Sequence, residues 1–152
     1  MQIFVDADAC PVRDIIYEEA YKRGINIIMV VSMAHNIYEL DGMSVLRVDS
    51  SFQAVDIAIV NRASSGDIVV TSDFGLASLV LGNGVFALSP SGRIYTGHTI
   101  DSLLEKRHAS ARQRRGGRRV KGPKARRRED DDRFRENLIR LMERESRGFA
   151  TH

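Results

Sequence analysis

A chain of 152 residues with 43% hydrophobic and 28% charged residues has the composition of one globular domain with a buried core. Its apolar runs are all shorter than the roughly 20 residues that span a bilayer, and its first residues lack the basic region of a signal peptide. The single cysteine, Cys10, cannot form an internal disulfide, which favours a reducing compartment. We therefore expect a cytoplasmic protein with no membrane partner.

The first apolar runs alternate with helical patterns. Five runs predict buried strands, at residues 3–5, 25–31, 45–48, 68–71 and 85–88, and residues 94–96 predict a short extra strand. Continuous apolar strands separated by helices indicate a parallel sheet covered on both faces. We predict an open, Rossmann-like α/β fold with a mainly parallel five-stranded sheet in the order 3-2-1-4-5.

Three helices are predicted between these strands. Their signals are Pro11 and Gly24 for the first, Ser50 or Ser51 as the cap of the second, and Ser72 as the cap of the third. After residue 100 the pattern is helical, beginning near Leu103, then irregular, and then helical again from about 130 to 147. The expected division is an α/β domain at 1–104, a basic, partly irregular segment at 105–128 and a docking amphipathic helix at 129–147. The apolar stripe of that helix consists of Phe134, Leu138, Leu141 and Met142.

Charge is distributed unevenly along the chain. Residues 1–104 carry 6 basic and 12 acidic residues, whereas residues 105–152 carry 17 basic and 8 acidic residues. Between Lys106 and Arg128 there are 12 basic residues and no acidic one. Such a block is typical of a surface that binds polyanions, and the alternative is a solvated tail that keeps the protein soluble.

Aspartates follow two strands that the predicted order makes neighbours. Asp6 ends the first strand, Asp8 follows it, and Asp73 comes just after the fourth strand. Ligands of open parallel sheets bind at the carboxyl ends of the strands, where the strand order reverses. Asp56 lies on the apolar stripe of the second helix, where a carboxylate is costly to bury unless it is paired or binds metal.

A cluster of carboxylates with oxygen ligands only suits Mg²⁺ or Mn²⁺. Such an ion polarises a phosphoryl oxygen and lowers the pKa of a bound water. The alternative is that these aspartates have structural roles and bind no metal. Single acids near helix starts are common, and Asp56 could instead pair with Arg62 or Arg13. Cys10 is interpreted as structural and His35 as a surface residue, while Arg93 could meet a phosphate or an acidic neighbour.

The sequence resembles the YaiI/YqxD family of largely uncharacterised bacterial proteins, grouped by fold with PIN-like nucleases. The matching pieces are residues 6–11, 52–56, 67–73, 76–77, 92–96, 122–124 and 132–134. The resemblance implies a PIN-like fold and metal-dependent hydrolysis of RNA or DNA, with Asp6, Asp56 and Asp73 at the places of the acidic ligands. The further acid common in PIN nucleases is replaced by Phe74 and Gly75, unless Asp8 substitutes for it.

Taken together, these features predict a divalent-metal-dependent nuclease that hydrolyses phosphodiester bonds, with RNA favoured over DNA. Its catalytic and metal-binding residues would be Asp6, Asp8, Asp56 and Asp73. The residues expected to bind nucleic acid are Arg93, Arg114, Arg115, Arg118, Arg119, Lys121 and Lys124. One alternative is a non-catalytic nucleic-acid-binding protein with a vestigial acidic site. Another is a haloacid-dehalogenase-like phosphatase with Asp6 as nucleophile and Asp8 as acid/base, a class that needs a downstream core lysine, whereas Lys22 lies upstream.

Overall fold

The structure, a computed structural model, describes residues 1–8, 10–33, 36–51, 53–117 and 125–151, with side chains up to residue 144. The elements found there are β1 (Gln2–Asp6), α1 (Arg13–Lys22), β2 (Asn26–Ser32), β3 (Met43–Val48), α2 (Ala54–Arg62), β4 (Ile68–Val70), α3 (Phe74–Leu81), β5 (Phe86–Leu88), β6 (Ile94–Tyr95), α4 (Gly97–Arg115) and α5 (Arg128–Thr151). Within these ranges no helix is both long and apolar enough to cross a membrane.

The six strands form one sheet in the order β3-β2-β1-β4-β5-β6. The first five pair in parallel, which confirms the predicted order. The sixth strand, the short extra strand predicted at residues 94–96, runs antiparallel to β5 and extends the five-stranded parallel sheet to a mixed, six-stranded one. A tight turn causes this reversal: Ser89 N donates to Arg93 O at 2.8 Å, and Gly92 adopts a φ of 94°.

The alternation of side chains along each strand divides the interior into two cores. Ile3 and Val5 point to the face covered by α1 and α5, while Phe4 between them points to the face covered by α2, α3 and α4. The predicted apolar stripe of α5 is buried in the first core. The last helix is therefore part of the domain's core, and it begins at Arg128, two residues earlier than expected.

The β5–β6 turn holds the start of α5 through the backbone. Asn137 Nδ2 donates to Gly92 O at 2.6 Å, and Arg126 Nη1 donates to Pro90 O at 2.7 Å. A Cβ on Gly92 would lie 2.7 Å from Phe134 N, so only glycine allows this close approach.

The predicted starts of the first and second helices were wrong. The first helix begins at Arg13, after a turn at Pro11. The second has no serine cap: it is preceded by Gln53, which lies in the left-handed region at a φ of 65°. The backbone stays irregular from residue 49 to 51, where Ser51 N donates to Asp49 Oδ1 at 3.1 Å, so the serine signals belong to a turn.

The fourth helix begins six residues before the predicted start at Leu103. Thr96 and Thr99 form a reciprocal capping box, in which each side chain accepts from the other's backbone N–H. Because α4 continues to Arg115, the expected division at residue 104 falls inside a regular helix. Much of the predicted irregular stretch, residues 118–124, lies outside the described residues.

Candidate active site at the carboxyl edge of the sheet

The acidic residues meet at the carboxyl edge of the two central strands. Val5 of β1 pairs with Val70 of β4, so Asp6 and Asp73, which follow these residues, lie side by side at the edge. Asp56 comes from the first turn of α2 and lies close enough to Asp73 and Asp6 for their charges to raise its pKa, so it reaches the same place. The structure thus collects three of the four predicted site aspartates, with Asp8 close enough to influence Asp6 electrostatically.

Asp73 also caps α3, a role that was predicted for Ser72. Asp73 Oδ1 accepts from Gly75 N at 2.8 Å, which satisfies a free amide of the first helical turn. Gly75 leaves room for this contact, since a Cβ there would lie 3.0 Å from Asp73 Oδ1. The cap fixes the direction of the Asp73 carboxylate at the end of β4.

Thr71 connects two of the acids and was not identified from the sequence. Its hydroxyl donates to Asp6 Oδ2 at 2.9 Å and accepts from Asp73 N at 3.0 Å. Tyr95 OH donates to Thr71 O at 3.2 Å, and burial, the main cause, raises the pKa of Tyr95 to about 12, so the phenol keeps its proton. The available sequence signal was a hydroxyl residue placed two before an aspartate at a strand end.

Asp8 is held on the other side of β1. Its Oδ1 accepts from Ser32 N at 3.0 Å at the carboxyl end of β2, so the loop after β1 is tied to the neighbouring strand. Ser32 was also not identified from the sequence, because its contribution is a backbone amide that any residue at the end of β2 would supply.

Proton affinity in the cluster is raised by burial and by mutual repulsion. Burial raises the pKa of Asp6 most; the Thr71 hydrogen bond opposes this, and the charges of Asp8 and Asp73 raise it further. Burial, followed by the charges of Asp73 and Asp6, raises the pKa of Asp56 to about 6. Two of the aspartates therefore bind protons more tightly than ordinary aspartates do.

Among the described residues, no basic side chain forms an ion pair with Asp6, Asp56 or Asp73. The alternative partner Arg62 donates to Ala58 O at 3.3 Å instead, so the pairing considered for Asp56 is wrong for that residue. The cluster carries negative charge that the described part of the chain does not neutralise by direct contact.

A depression of about 300 Å³ opens at this edge, and we refer to it as the acidic pocket. It is lined by Asp8, Ser32, Asp49, Ser50, Ser51, Gln53, Ala54, Val55, Asp56 and Asp73. Gln53 is the one non-glycine residue with positive φ among those described, and such strained positions concentrate at functional sites. Asp49 is a further acid at the pocket that the sequence did not single out.

The donor chemistry of this pocket fits a hard cation, since carboxylates and hydroxyls are the groups that bind Mg²⁺ and Mn²⁺. Within the described ranges, however, no three His, Cys, Asp or Glu side chains form a ready-made metal site. Gathering the carboxylates around one ion thus requires side-chain rearrangement from the arrangement seen here.

The predicted nucleic-acid-binding residues fall in three places. Arg93 is exposed beside β6, and Arg114 and Arg115 are exposed at the end of α4. Arg118, Arg119, Lys121 and Lys124 lie outside the described residues, as does His35. The helix α4 lies close to the acidic pocket, because the Arg107 guanidinium stacks 5.5 Å from the ring centre of Phe74, the residue after Asp73.

Cys10 is buried at the start of the loop to α1. Burial, the largest cause, raises the pKa of its thiol above the ordinary value, so the reactive thiolate is disfavoured. This environment is that of a structural cysteine.

The fold is an α/β sheet with an acidic site where its strand order reverses. The chain belongs to the uncharacterised YaiI/YqxD family, whose family model matches residues 4–144. It is 45% identical to a UPF0178 protein of Clostridium novyi, covering 93% of this chain and 95% of that one. It is 42% identical to a UPF0178 protein of Oceanobacillus iheyensis, covering 93% of this chain and 99% of that one.

Among solved structures, the chain is similar to a crystal structure of a mutant of Rae1 (YacP) from Bacillus subtilis. The match has a TM-score of 0.43 and 15% sequence identity, and it covers 76% of this chain and 85% of that one.

Proposed function

We propose that this protein is a divalent-metal-dependent nuclease of PIN-like type that hydrolyses phosphodiester bonds, with RNA as the favoured substrate. The observation that carries this proposal is the cluster of Asp6, Asp56 and Asp73 at the sheet's carboxyl edge, with which no described basic side chain forms an ion pair and in which the pKa values of Asp6 and Asp56 are raised. Positions where burial and like charges perturb carboxylates in a pocket are characteristic of catalytic sites.

In this proposal Asp6, Asp56 and Asp73 hold Mg²⁺ or Mn²⁺, with Asp8 beside them. The ion would supply Lewis-acid polarisation of the phosphoryl group and an activated water. Thr71 orients Asp6 through its hydroxyl hydrogen bond, and the cap on α3 orients Asp73. Cation binding would compete with protonation of Asp6 and Asp56, whose pKa values are raised, so metal affinity should rise with pH.

The decisive test is cleavage of labelled RNA and DNA, single- and double-stranded, by purified protein in Mn²⁺ or in EDTA. We expect Mn²⁺-dependent cleavage that falls by at least about 100-fold in Asp6→Asn and in Asp73→Asn, since even residues behind metal ligands change activity by about 10- to 100-fold. Asp41→Asn is the matched control, because Asp41 is an exposed aspartate just before β3, at the opposite edge of the sheet. Equal cleavage by Asp6→Asn and the parent would assign the activity to another site or to a contaminant.

The basic helix α4 supports nucleic acid as the substrate. Arg112, Arg114 and Arg115 lie in its exposed last turn. Each phosphate contact adds about 0.7–0.9 to the slope of log affinity against log salt. The double variant Arg114→Gln with Arg115→Gln should therefore weaken binding and reduce that slope, as measured by titration at several salt concentrations. An unchanged slope would favour the solvated-tail interpretation.

The second candidate is a nucleic-acid-binding protein without catalysis. It is favoured by the lack of a ready-made metal site among the described residues. The two functions differ in their response to metal, because a cation that binds only the folded state raises the melting temperature. Salt-sensitive nucleic-acid binding with neither Mn²⁺-dependent stabilisation nor cleavage would establish this second function. The phosphatase alternative gains no support: Lys22 Nζ lies 3.6 Å from Glu19 Oε1 on α1, committed to another carboxylate.

A further inference from the structure

A second depression, of about 320 Å³, lies between α1 and the segment that leads from β2 to β3. We call it the aromatic groove, and the residues that define it here are Arg13, Asp14, Tyr17, Met29, Tyr38 and Met43. Its volume reaches the lower end of the range of small-molecule sites, roughly 300–1,000 Å³. It has no role in the proposed chemistry of the acidic pocket.

The groove combines a fixed aromatic wall, an apolar floor and an open aromatic side chain. Tyr17 is fixed, because its hydroxyl donates to Asp41 O at 3.0 Å and its ring packs against Tyr21 with centroids 5.6 Å apart. Met29 and Met43 are buried beneath. Tyr38, by contrast, is 85% exposed, so its ring contributes little to the core and is open to a planar ligand.

Charged groups at the rim complement a nucleotide. Arg13 is exposed, and in the described part of the chain it makes no ion pair, so its guanidinium is available to a phosphate. The exposed carboxylate of Asp14 is an acceptor for the N–H groups of a base edge. A purely apolar ligand would leave the charges of Arg13 and Asp14 without a partner in the complex.

The groove lies near the acidic pocket. Asp8 lines the pocket, and Cys10, two residues further along the chain, lines the groove. The charges of Arg13 and Asp6 both act on the Cys10 thiol, so both residues lie near Cys10.

The described basic helix, α4, differs from the groove in its aromatic content. Binding of single strands relies on aromatic rings on which bases stack, together with basic groups for the backbone. The sequence of α4 contains no Phe, Tyr or Trp, so this helix offers no large aromatic ring for stacking, and its arginines suit contacts to phosphate.

We propose that the aromatic groove binds an unpaired nucleobase of a single-stranded nucleic acid, next to the phosphate that reaches the acidic pocket. The inference deepens the proposed function by naming its substrate class, and it depends on that function for the role of the neighbouring phosphate. Base binding itself requires no cleavage, so the two can be tested apart.

The test is fluorescence anisotropy in EDTA with a short labelled single-stranded RNA, its duplex form and an abasic version of the same strand. We expect the single strand to bind most tightly, and Tyr38→Ala to weaken that binding by about 5- to 100-fold, the range found for loss of one stacked base. Tyr38→Phe should retain the parent's affinity, because the ring remains. Leu79→Ala, which removes a 60% exposed side chain from α3, is the matched control and should have no effect.

Equal binding of the intact and abasic strands, equal binding of duplex and single strand, or parental affinity in Tyr38→Ala would each overturn the proposal. Sedimentation of the same variants tests whether a second copy of the chain occupies the groove. A parent dimer that becomes monomeric in Tyr38→Ala would make the groove an interface between two copies and would also overturn the proposal. If Mn²⁺-dependent cleavage is absent but base-dependent binding persists, the proposal that the groove binds a base is supported and the nuclease proposal fails.

Discussion

Two carboxylates in this protein, those of Glu19 and Asp56, have opposite surroundings and opposite pKa shifts. Glu19 on α1 is only 4% exposed, yet Arg23 Nη1 lies 2.8 Å from its Oε2 and Arg135 of α5 pairs with its other oxygen. Burial raises the pKa of Glu19, but the hydrogen bonds from Arg23 and Arg135 outweigh it, so the pKa is lowered overall. Asp56 has no such partner among the described residues, and its pKa rises to about 6.

This difference separates a structural carboxylate cluster, around Glu19, from the candidate functional cluster at the carboxyl edge of the sheet. The arginines around Glu19 connect α1 to α5 and make the buried charge part of the domain's architecture. A second buried acid, Asp67, is satisfied by backbone amides: Gln2 N and Ser64 N both donate to its carboxylate at 2.9 Å. Only the cluster at the carboxyl edge concentrates like charges without a cation from the described chain, an arrangement that lowers stability and that a bound cation would relieve.

The largest stability effect should come from breaking the satisfied cluster. Glu19→Gln removes the charge that holds Arg23 and Arg135, and we expect a loss of about 2–3 kcal/mol in the free energy of unfolding at pH 7, typical of hydrogen bonds to charged groups. Chemical denaturation measures it. Glu18→Gln is the control, since Glu18 contacts Arg135 at 3.0 Å but its side chain is 53% exposed. Exposed pairs contribute less than about 1 kcal/mol, so equal losses in the two variants would contradict the comparison.

A smaller effect is expected at Thr71, where the two aspartates share a hydroxyl. Thr71→Val should lower the free energy of unfolding by about 1–2 kcal/mol, because it removes a buried hydrogen-bonding group. It should also raise the pKa of Asp6 further, since the hydrogen bond from Thr71 lowers it. A carboxyl NMR titration reads the second effect directly. Ser72→Ala, the control, changes an exposed neighbour and should alter neither the free energy of unfolding nor the pKa of Asp6. An unchanged Asp6 titration in Thr71→Val would show that the Thr71 hydroxyl does not stabilise the Asp6 carboxylate.

The smallest effect concerns pH. Because the pKa of Asp56 is raised in the folded state, folding is favoured below the unfolded value of 3.8, and this contribution is lost as pH rises through about 6. Asp56→Asn should therefore stabilise the metal-free protein at pH 8, by at most about 1 kcal/mol for this partly exposed group. Glu19, with its lowered pKa, contributes in the opposite direction, since its stabilisation is lost as pH falls.

The measurement is thermal unfolding in EDTA at pH 5 and pH 8. Asp56→Asn should raise the melting temperature at pH 8 more than at pH 5, whereas the control Asp41→Asn should shift neither. A variant that is destabilised at pH 8 would show that the Asp56 carboxylate is satisfied after all.

Much of the fold was predictable because buried parallel strands are continuous apolar runs. The strand order followed from the alternation of strands and helices, and this order alone predicts that Asp6 and Asp73 lie side by side. Helix starts were harder to predict. The capping box at Thr96 outweighed the apolar signal at Leu103, and the left-handed Gln53 has no sequence signature, because its conformation is imposed by the loop around it.

The carboxylates of the acidic site were predictable from the sequence, whereas the residues that hydrogen-bond to them were not. Strand ends and helix periodicity place Asp6, Asp56 and Asp73, since both depend on local sequence. The contacts of Thr71 with Asp6, and of Ser32 N with Asp8, join positions 65 and 24 residues apart. Such pairs depend on the register between strands, which a single sequence does not encode locally.

The docking of α5 has a consequence for how the chain folds as it is synthesised. Arg135 and Glu18 are 117 positions apart, so the face of the sheet beneath α1 stays open until the last helix has been made. At the usual rates of about 5–20 residues per second, this leaves the face uncovered for roughly 6–23 seconds. During that interval Ile3, Val5 and Ile16 lack the Phe134 stripe that covers them in the finished domain. The nascent chain thus exposes apolar surface that the finished domain buries, until its final helix has been made.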